Sequence, residues 1–107
     1  MPDVDIEQLG DGRFLVHGKL EFETVTEALE ESDRLFHGDG ALDIDLGSVS
    51  TGDSAGLALL LEWVRQARHA GRKITFRNVP EQLLAIARIS EAQNFLPMAD
   101  GESQPAA

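Results

Sequence analysis

The stretch of this chain best equipped for chemistry is Leu46-Gly47-Ser48-Val49-Ser50-Thr51-Gly52-Asp53-Ser54-Ala55-Gly56-Leu57. Apolar alternation stops at Leu46, small and polar residues follow, and helical periodicity begins at Asp53-Ser54. A helix start leaves its first N–H groups without partners and carries the positive end of the helix dipole. Asp53 or Ser54 can cap that end by accepting an N–H bond. A phosphate on Ser54 would lie where negative charge is stabilised. Ala55 and Gly56 keep the surface low, so a partner's backbone can come close. The plainer reading of the same residues is a good N-cap and a tight turn.

Other chemistries find little support. His17, His37 and His69 are scattered and form no HxH or HxxxH pair, so no metal site is expected. There is no GxxxxGK[ST] phosphate loop, no GxGxxG after a strand and no GxSxG elbow. Asp45 and Asp53 could be read as an acid–base carboxylate pair, but strand and capping duties explain them better. The expectation is a chain that is not an enzyme and needs no cofactor.

Composition narrows the class further. The 107 residues make one domain, and 42% hydrophobic residues suffice for a core. With no cysteine, disulfide scaffolds, thiolate metal sites and cysteine nucleophiles are excluded. The N-terminus, Met1 to Leu9, lacks the basic and apolar regions of a signal peptide. The longest apolar run, Gly56 to Leu61, is far short of a membrane span, so a cytosolic location is expected. The net charge of −10 argues against nucleic acid as a partner. All of that excess lies in residues 1–47, which hold thirteen acids and three bases. The rest is balanced, with Arg65, Arg68, Arg72, Lys73 and Arg77 crowded together as a solvated face or a docking surface.

The positioning elements follow from periodicity. Val4, Ile6 and Leu9 read as one strand and Phe14-Leu15-Val16 as a second, joined by Gly10-Asp11-Gly12 in an antiparallel hairpin. Thr24 and Glu27 have capping-box spacing, ahead of a helix carrying Val25, Ala28, Leu29, Ser32, Leu35 and Phe36 on one side. Gly38 and Gly40 stop it. Residues 41–46 read as a strand and 47–52 as a loop. A second helix runs from about Asp53 to Ala70 and ends at Gly71. Residues 72–77 form a strand, and Pro80 starts a third helix. The order β-β-α-β-α-β-α predicts an α/β domain over residues 1–97, with later strands parallel. Residues 98–107 read as a flexible C-terminal tail.

On the second helix, Leu57, Leu60, Leu61 and Val64 form the core-facing stripe. Leu59 and Trp63 lie on its shoulder and widen the apolar arc. A shoulder tryptophan reads as a partner anchor, with Arg65, Gln66 and His69 as polar rim. Cover by a neighbouring helix is the alternative.

The pattern Leu46-x-x-Val49-x-x-x-Asp53-Ser54-Ala55-Gly56-Leu57 resembles the signature of STAS domains, the sulfate-transporter and anti-sigma-factor-antagonist family. The likeness extends from about Val4 to Pro97 and implies a four-stranded mixed sheet with helices packed on it. It places the family's phosphorylatable residue at Ser54, its adjacent acid at Asp53 and its strand-end acid at Asp45. Asp53-Ser54-Ala55-Gly56-Leu57-Ala58-Leu59-Leu60-Leu61-Glu62-Trp63 and the later run from Ile74 to Leu83 are most similar to the MlaB branch. Gly52 departs from the pattern, because many members carry a larger residue there. The resemblance implies a subunit that binds the ATPase (MlaF-like) of a phospholipid-transport ABC complex, beside MlaE-like permease and MlaD-like subunits, at the inner face of the inner membrane. The partner surface would comprise Asp53, Ser54, Ala55, Gly56, Leu59, Trp63, Arg65 and Gln66. A stand-alone anti-sigma-factor antagonist switched at Ser54 is the alternative.

Overall fold

Val4 and Ile6 alternate with Asp5 and Glu7, and this period of two folds as strand β1 (Val4–Gly10). In the computed structural model, which describes residues 3–99, β1 pairs antiparallel with β2 (Arg13–Leu20). The turn between them holds Gly10, Asp11 and Gly12 at φ of 95°, 57° and 78°. That left-handed run suits Gly and Asp and little else.

Helix α1 (Val25–Leu35) follows. The expected capping box does not form. Thr24 is buried, and its hydroxyl turns back to donate to the Lys19 carbonyl at 2.7 Å while accepting from the Glu21 N–H at 3.0 Å. Thr24 therefore ties the β2–α1 turn rather than the helix end. Phe36, expected on the helix, flanks its C-terminus.

Strand β3 (Leu42–Gly52) is longer than the sequence suggests. Residues 47–52, expected as a loop, continue the strand because Ser48, Val49, Thr51 and Gly52 pair with His17, Gly18, Lys19 and Leu20 of β2. Pairing across the sheet overrides the weak strand propensity of Gly and Ser. Two register irregularities absorb the mismatch. Helix α2 (Ser54–His69), strand β4 (Ile74–Arg77) and helix α3 (Glu81–Ile89) complete the order, with a short 3-10 turn at Gln93–Phe95.

The sheet order is β1-β2-β3-β4, with β2–β3 and β3–β4 parallel. It is the expected four-stranded mixed sheet. Helix α1 lies against β1, α2 against β2 and β3, and α3 against β3. One face of each strand is buried: Val4 and Ile6, Phe14 and Val16, Ile44 and Leu46, Ile74 and Phe76. The alternate residues Asp5, Glu7, Asp43 and Asp45 make the other face largely polar, with Leu9 and Leu15 as its apolar members.

The tail differs from expectation at its start. The Phe76 N–H donates to the Pro97 carbonyl at 2.8 Å, and the Ala99 N–H donates to the Phe76 carbonyl at 2.9 Å. Met98 and Ala99 thus lie along β4, and Ala99 is buried. Residues 100–107 lie outside the described residues.

Candidate functional site

Strand β3 delivers Asp53 to the end of the sheet where α2 begins. Asp53 has extended backbone, and its carbonyl accepts the Leu57 N–H at 3.0 Å. Its carboxylate is the cap. Oδ1 accepts from the Ala55 N–H at 2.9 Å and the Gly56 N–H at 3.2 Å. Oδ2 reaches across to the Phe22 N–H at 3.1 Å. One side chain therefore satisfies two helix-start donors and pins the β2–α1 turn beside the start of α2.

Ser54 is the first helical residue, and its side chain is exposed. Since Asp53 has taken the Ala55 and Gly56 donors, a phosphate on Ser54 would meet a carboxylate already in place. Added negative charge here would stand beside negative charge and would find these two helix-start donors already occupied.

Gly56 does not face outward as expected. It is buried, and a Cβ there would fall 2.1 Å from the Leu20 carbonyl oxygen. Gly56 exists so that α2 can press against the end of β2. Gly52 is explained the same way: a Cβ would come within 2.7 Å of the Leu83 side chain, and its N–H donates to the Gln82 Oε1 at 3.2 Å. The space that a larger residue would take is filled from α3, so this position is packed.

Trp63 and Leu59 are the main corrections. Trp63 is 1% exposed and Leu59 5%. The Trp63 indole N–H donates to the buried Ser32 hydroxyl at 2.8 Å, and its ring meets Phe36 at a centroid distance of 5.4 Å. Helix α1 covers the shoulder that periodicity left open: Trp63 is closed off from a partner, and Leu59 shows only a sliver of its side chain between the two helices. Arg65 and Gln66 hold Glu62: Arg65 through two bonds of 2.8 and 2.7 Å, Gln66 through one of 3.1 Å. The Arg65 bonds hold the Glu62 carboxyl below its ordinary pKa, against a smaller opposing effect of desolvation.

Asp45 sits within β3 rather than at its end. It accepts from the Gly47 N–H at 2.8 Å and the Asn78 amide at 3.1 Å. The strand between Asp45 and Asp53 keeps them roughly 25 Å apart, so they are no catalytic pair. The basic stretch is also largely structural. Arg72 donates to the Phe36 and Gly40 carbonyls at 2.8 and 2.6 Å, and Arg77 pairs with Asp43 at 2.8 Å. Among the described residues, no group of three or more His, Asp or Glu could hold a metal ion, and no helix is long and apolar enough to cross a membrane.

Apolar surface is exposed on the two elements that Asp53 joins. Phe22 is 77% exposed, in the turn that Asp53 pins. A groove of about 260 Å³ opens between the two helices, lined by Val25, Thr26, Leu29, Ala55, Ala58, Leu59 and Glu62. Sequence reading missed Phe22, although a signal existed. It stands between Glu21 and Glu23, out of phase with both the strand before it and the helix after it.

With this geometry in hand, comparison with known proteins decides the family. The model of the family described as MlaB, STAS domain, matches residues 8–97. The chain belongs to this STAS family. Solved structures agree on the fold. A Thermotoga maritima protein provisionally assigned as an anti-sigma factor antagonist superposes with a TM-score of 0.69 at 12% identity, covering 91% of this chain and 86% of that one. The anti-sigma factor antagonist SpoIIAA, in its unphosphorylated form, gives 0.65 at 17% identity, covering 92% and 90%. The murine anion transporter Slc26a9 gives 0.65 at 17% identity, covering 85% of this chain and 16% of that one. No match is found among curated protein sequences.

Proposed function

We propose that this STAS domain is a non-catalytic subunit that binds, and regulates or stabilises, the ATPase of a phospholipid-transport ABC complex maintaining outer-membrane lipid asymmetry. It would act at the inner face of the inner membrane, beside MlaE-like and MlaD-like subunits. The observation that carries this reading is the MlaB family match over residues 8–97. The arrangement at the start of α2 supports a docking role. Exposed Ser54, exposed Phe22 and an open groove lie along the two helix starts that Asp53 holds together, with Asp53 serving as cap and Glu62 paired to Arg65. Such a surface recognises a partner by shape and exclusion of water.

Co-purification from native membranes, with mass spectrometry of the bound proteins, tests this. Recovery of an ABC ATPase and permease is expected, and their absence overturns the reading.

A second reading is an anti-sigma-factor antagonist switched at Ser54. It is favoured by the exposed serine beside Asp53 and by the resemblance in fold to SpoIIAA. Recovery of a sigma-factor regulator and a kinase in the same experiment would select it.

A further inference from the structure

The groove between α1 and α2 has a composition that specifies its occupant. Val25 and Leu29, four apart on α1, are half-buried and form one wall. Ala55, Ala58 and Leu59 form the other, and the two alanines leave room for a guest side chain. Ser54 lies one turn before Ala58 on the same side of α2. The Asp53–Phe22 bond keeps the two helix starts together, so Phe22 and Ser54 stand at one end of the groove.

The rim is acidic. Glu30 follows Thr26 by four residues, and Asp33 follows Leu29 by four, which places both over the groove side of α1. Both are exposed, and neither makes an ion pair among the described residues. On α2, Glu62 lines the groove with its charge balanced by Arg65. Arg34, the basic residue of the last turn of α1, pairs with Glu31. The rim thus presents uncompensated negative charge around an apolar slot.

From this we infer that the α1–α2 groove seats an apolar side chain of a partner protein segment that carries Lys or Arg on either side of it. An acidic segment would be repelled by Glu30 and Asp33. A lipid acyl chain would bring no charge to match the rim. A second copy of this chain would bring either its acidic residues 1–47 or a basic stretch in which Arg65, Arg72 and Arg77 are already engaged by its own groups. This inference deepens the proposed function and rests on it for the partner's identity, the ATPase.

The test places benzoylphenylalanine at Thr26, an exposed rim residue, in the full chain expressed in its native cells, with Asp11 in the hairpin turn as the distant control site. After irradiation, the cross-linked peptide is sequenced. The expected product from Thr26 is a segment with an apolar residue flanked by Lys or Arg. Its yield should fall about tenfold on Glu30→Lys with Asp33→Lys, and also on Ala58→Trp, which fills the slot and leaves charge unchanged. All three positions are exposed, and circular dichroism checks that each variant folds. Several results would overturn the proposal: no product above the Asp11 control, an acidic segment, a lipid or a second copy as the product, or a yield indifferent to these variants. Failure of the two readings can be told apart. If the ATPase co-purifies while Thr26 captures nothing, the groove inference fails alone. If Thr26 captures a basic apolar segment of some other protein, the groove stands and the ATPase reading fails.

Discussion

The Trp63 indole N–H donates to the Ser32 hydroxyl at 2.8 Å, joining α2 to α1 at a point where both residues are about 1% exposed. Ser32 in turn donates to the Leu29 carbonyl at 2.8 Å, so the buried polar group is fully used. This one contact turns a candidate partner anchor into a core residue. Buried donors left without acceptors are costly, so the pair should be tightly coupled.

Ser32→Ala should therefore lose about 1–3 kcal/mol, because the indole N–H keeps its burial and loses its acceptor. Trp63→Ala should lose more, about 3–5 kcal/mol, through the cavity it leaves. Denaturant unfolding of both variants and of the double variant measures the coupling. Partner binding by the folded fraction of Trp63→Ala should be close to that of the wild type. Unchanged stability with lost binding would return Trp63 to the surface.

The capping assignment yields a second prediction. Asp53, not Ser54, accepts the helix-start N–H bonds. Asp53→Ala should cost about 1–2 kcal/mol and loosen the Phe22 turn. Ser54→Ala should change stability by no more than about 0.5 kcal/mol. Ser54→Arg and Ser54→Glu should leave the domain folded while weakening the complex, since charge buried in an interface without a partner is costly. Thermal unfolding and ATPase pull-down on the same four proteins decide it. If Ser54→Arg binds like the wild type, Ser54 lies outside the interface.

Much of this was legible in the sequence, for reasons that particular residues illustrate. Period-two alternation at Val4 to Glu7 and the Gly10-Asp11-Gly12 turn are local signals, and the hairpin they specify is present. The α2 limits are local as well, set by Asp53 and Gly71. Two things were not local. Residues 48–52 are strand only because β2 supplies hydrogen-bond partners, which no single-strand pattern reveals. The shoulder of α2 is buried only because α1 crosses it, and helix periodicity tells which side a residue occupies but not what lies against it. The site was half legible for the same reason. Asp53 and Ser54 came from spacing, whereas Phe22 joins them through a bond to a residue distant in sequence.

The two glycines on either side of Asp53 should respond differently. Gly56→Ala would drive a methyl into the Leu20 carbonyl, which is backbone and cannot swing aside. A loss of about 1–3 kcal/mol or more is expected. Gly52→Ala meets the buried Leu83 side chain instead, which can shift more readily than backbone, and should cost less. Thermal unfolding of both variants ranks them, and equal losses would contradict the close approach of α2 to β2.

Glu62 offers a pH test. Its hydrogen bonds to Arg65 lower the folded-state pKa relative to the unfolded chain. The associated stability is present above the unfolded pKa and is lost as pH falls through the folded one. In Arg65→Gln the Glu62 carboxyl should titrate higher than in the wild type. Carboxyl-detected NMR titration of both proteins measures this, and identical midpoints would mean the pair does not form in solution.

Phe22 carries the last prediction. It is 77% exposed, yet its backbone is held by the Asp53 carboxylate at 3.1 Å, so the ring is displayed on a fixed support. An exposed aromatic contributes little to folding, and preorganised display favours binding because less freedom is lost on docking. Phe22→Ala should shift stability by no more than about 0.5 kcal/mol and weaken partner binding by about 2 kcal/mol or more. Phe22→Leu should retain part of the affinity, whereas Phe22→Asp should abolish binding and stay folded. The partner used is the protein that co-purifies from native membranes, an ABC ATPase on the proposed reading, with binding titrations set beside thermal unfolding of each variant. Wild-type affinity in Phe22→Asp would show that this end of the domain is not the docking surface, and with it the role given to Ser54 would fall.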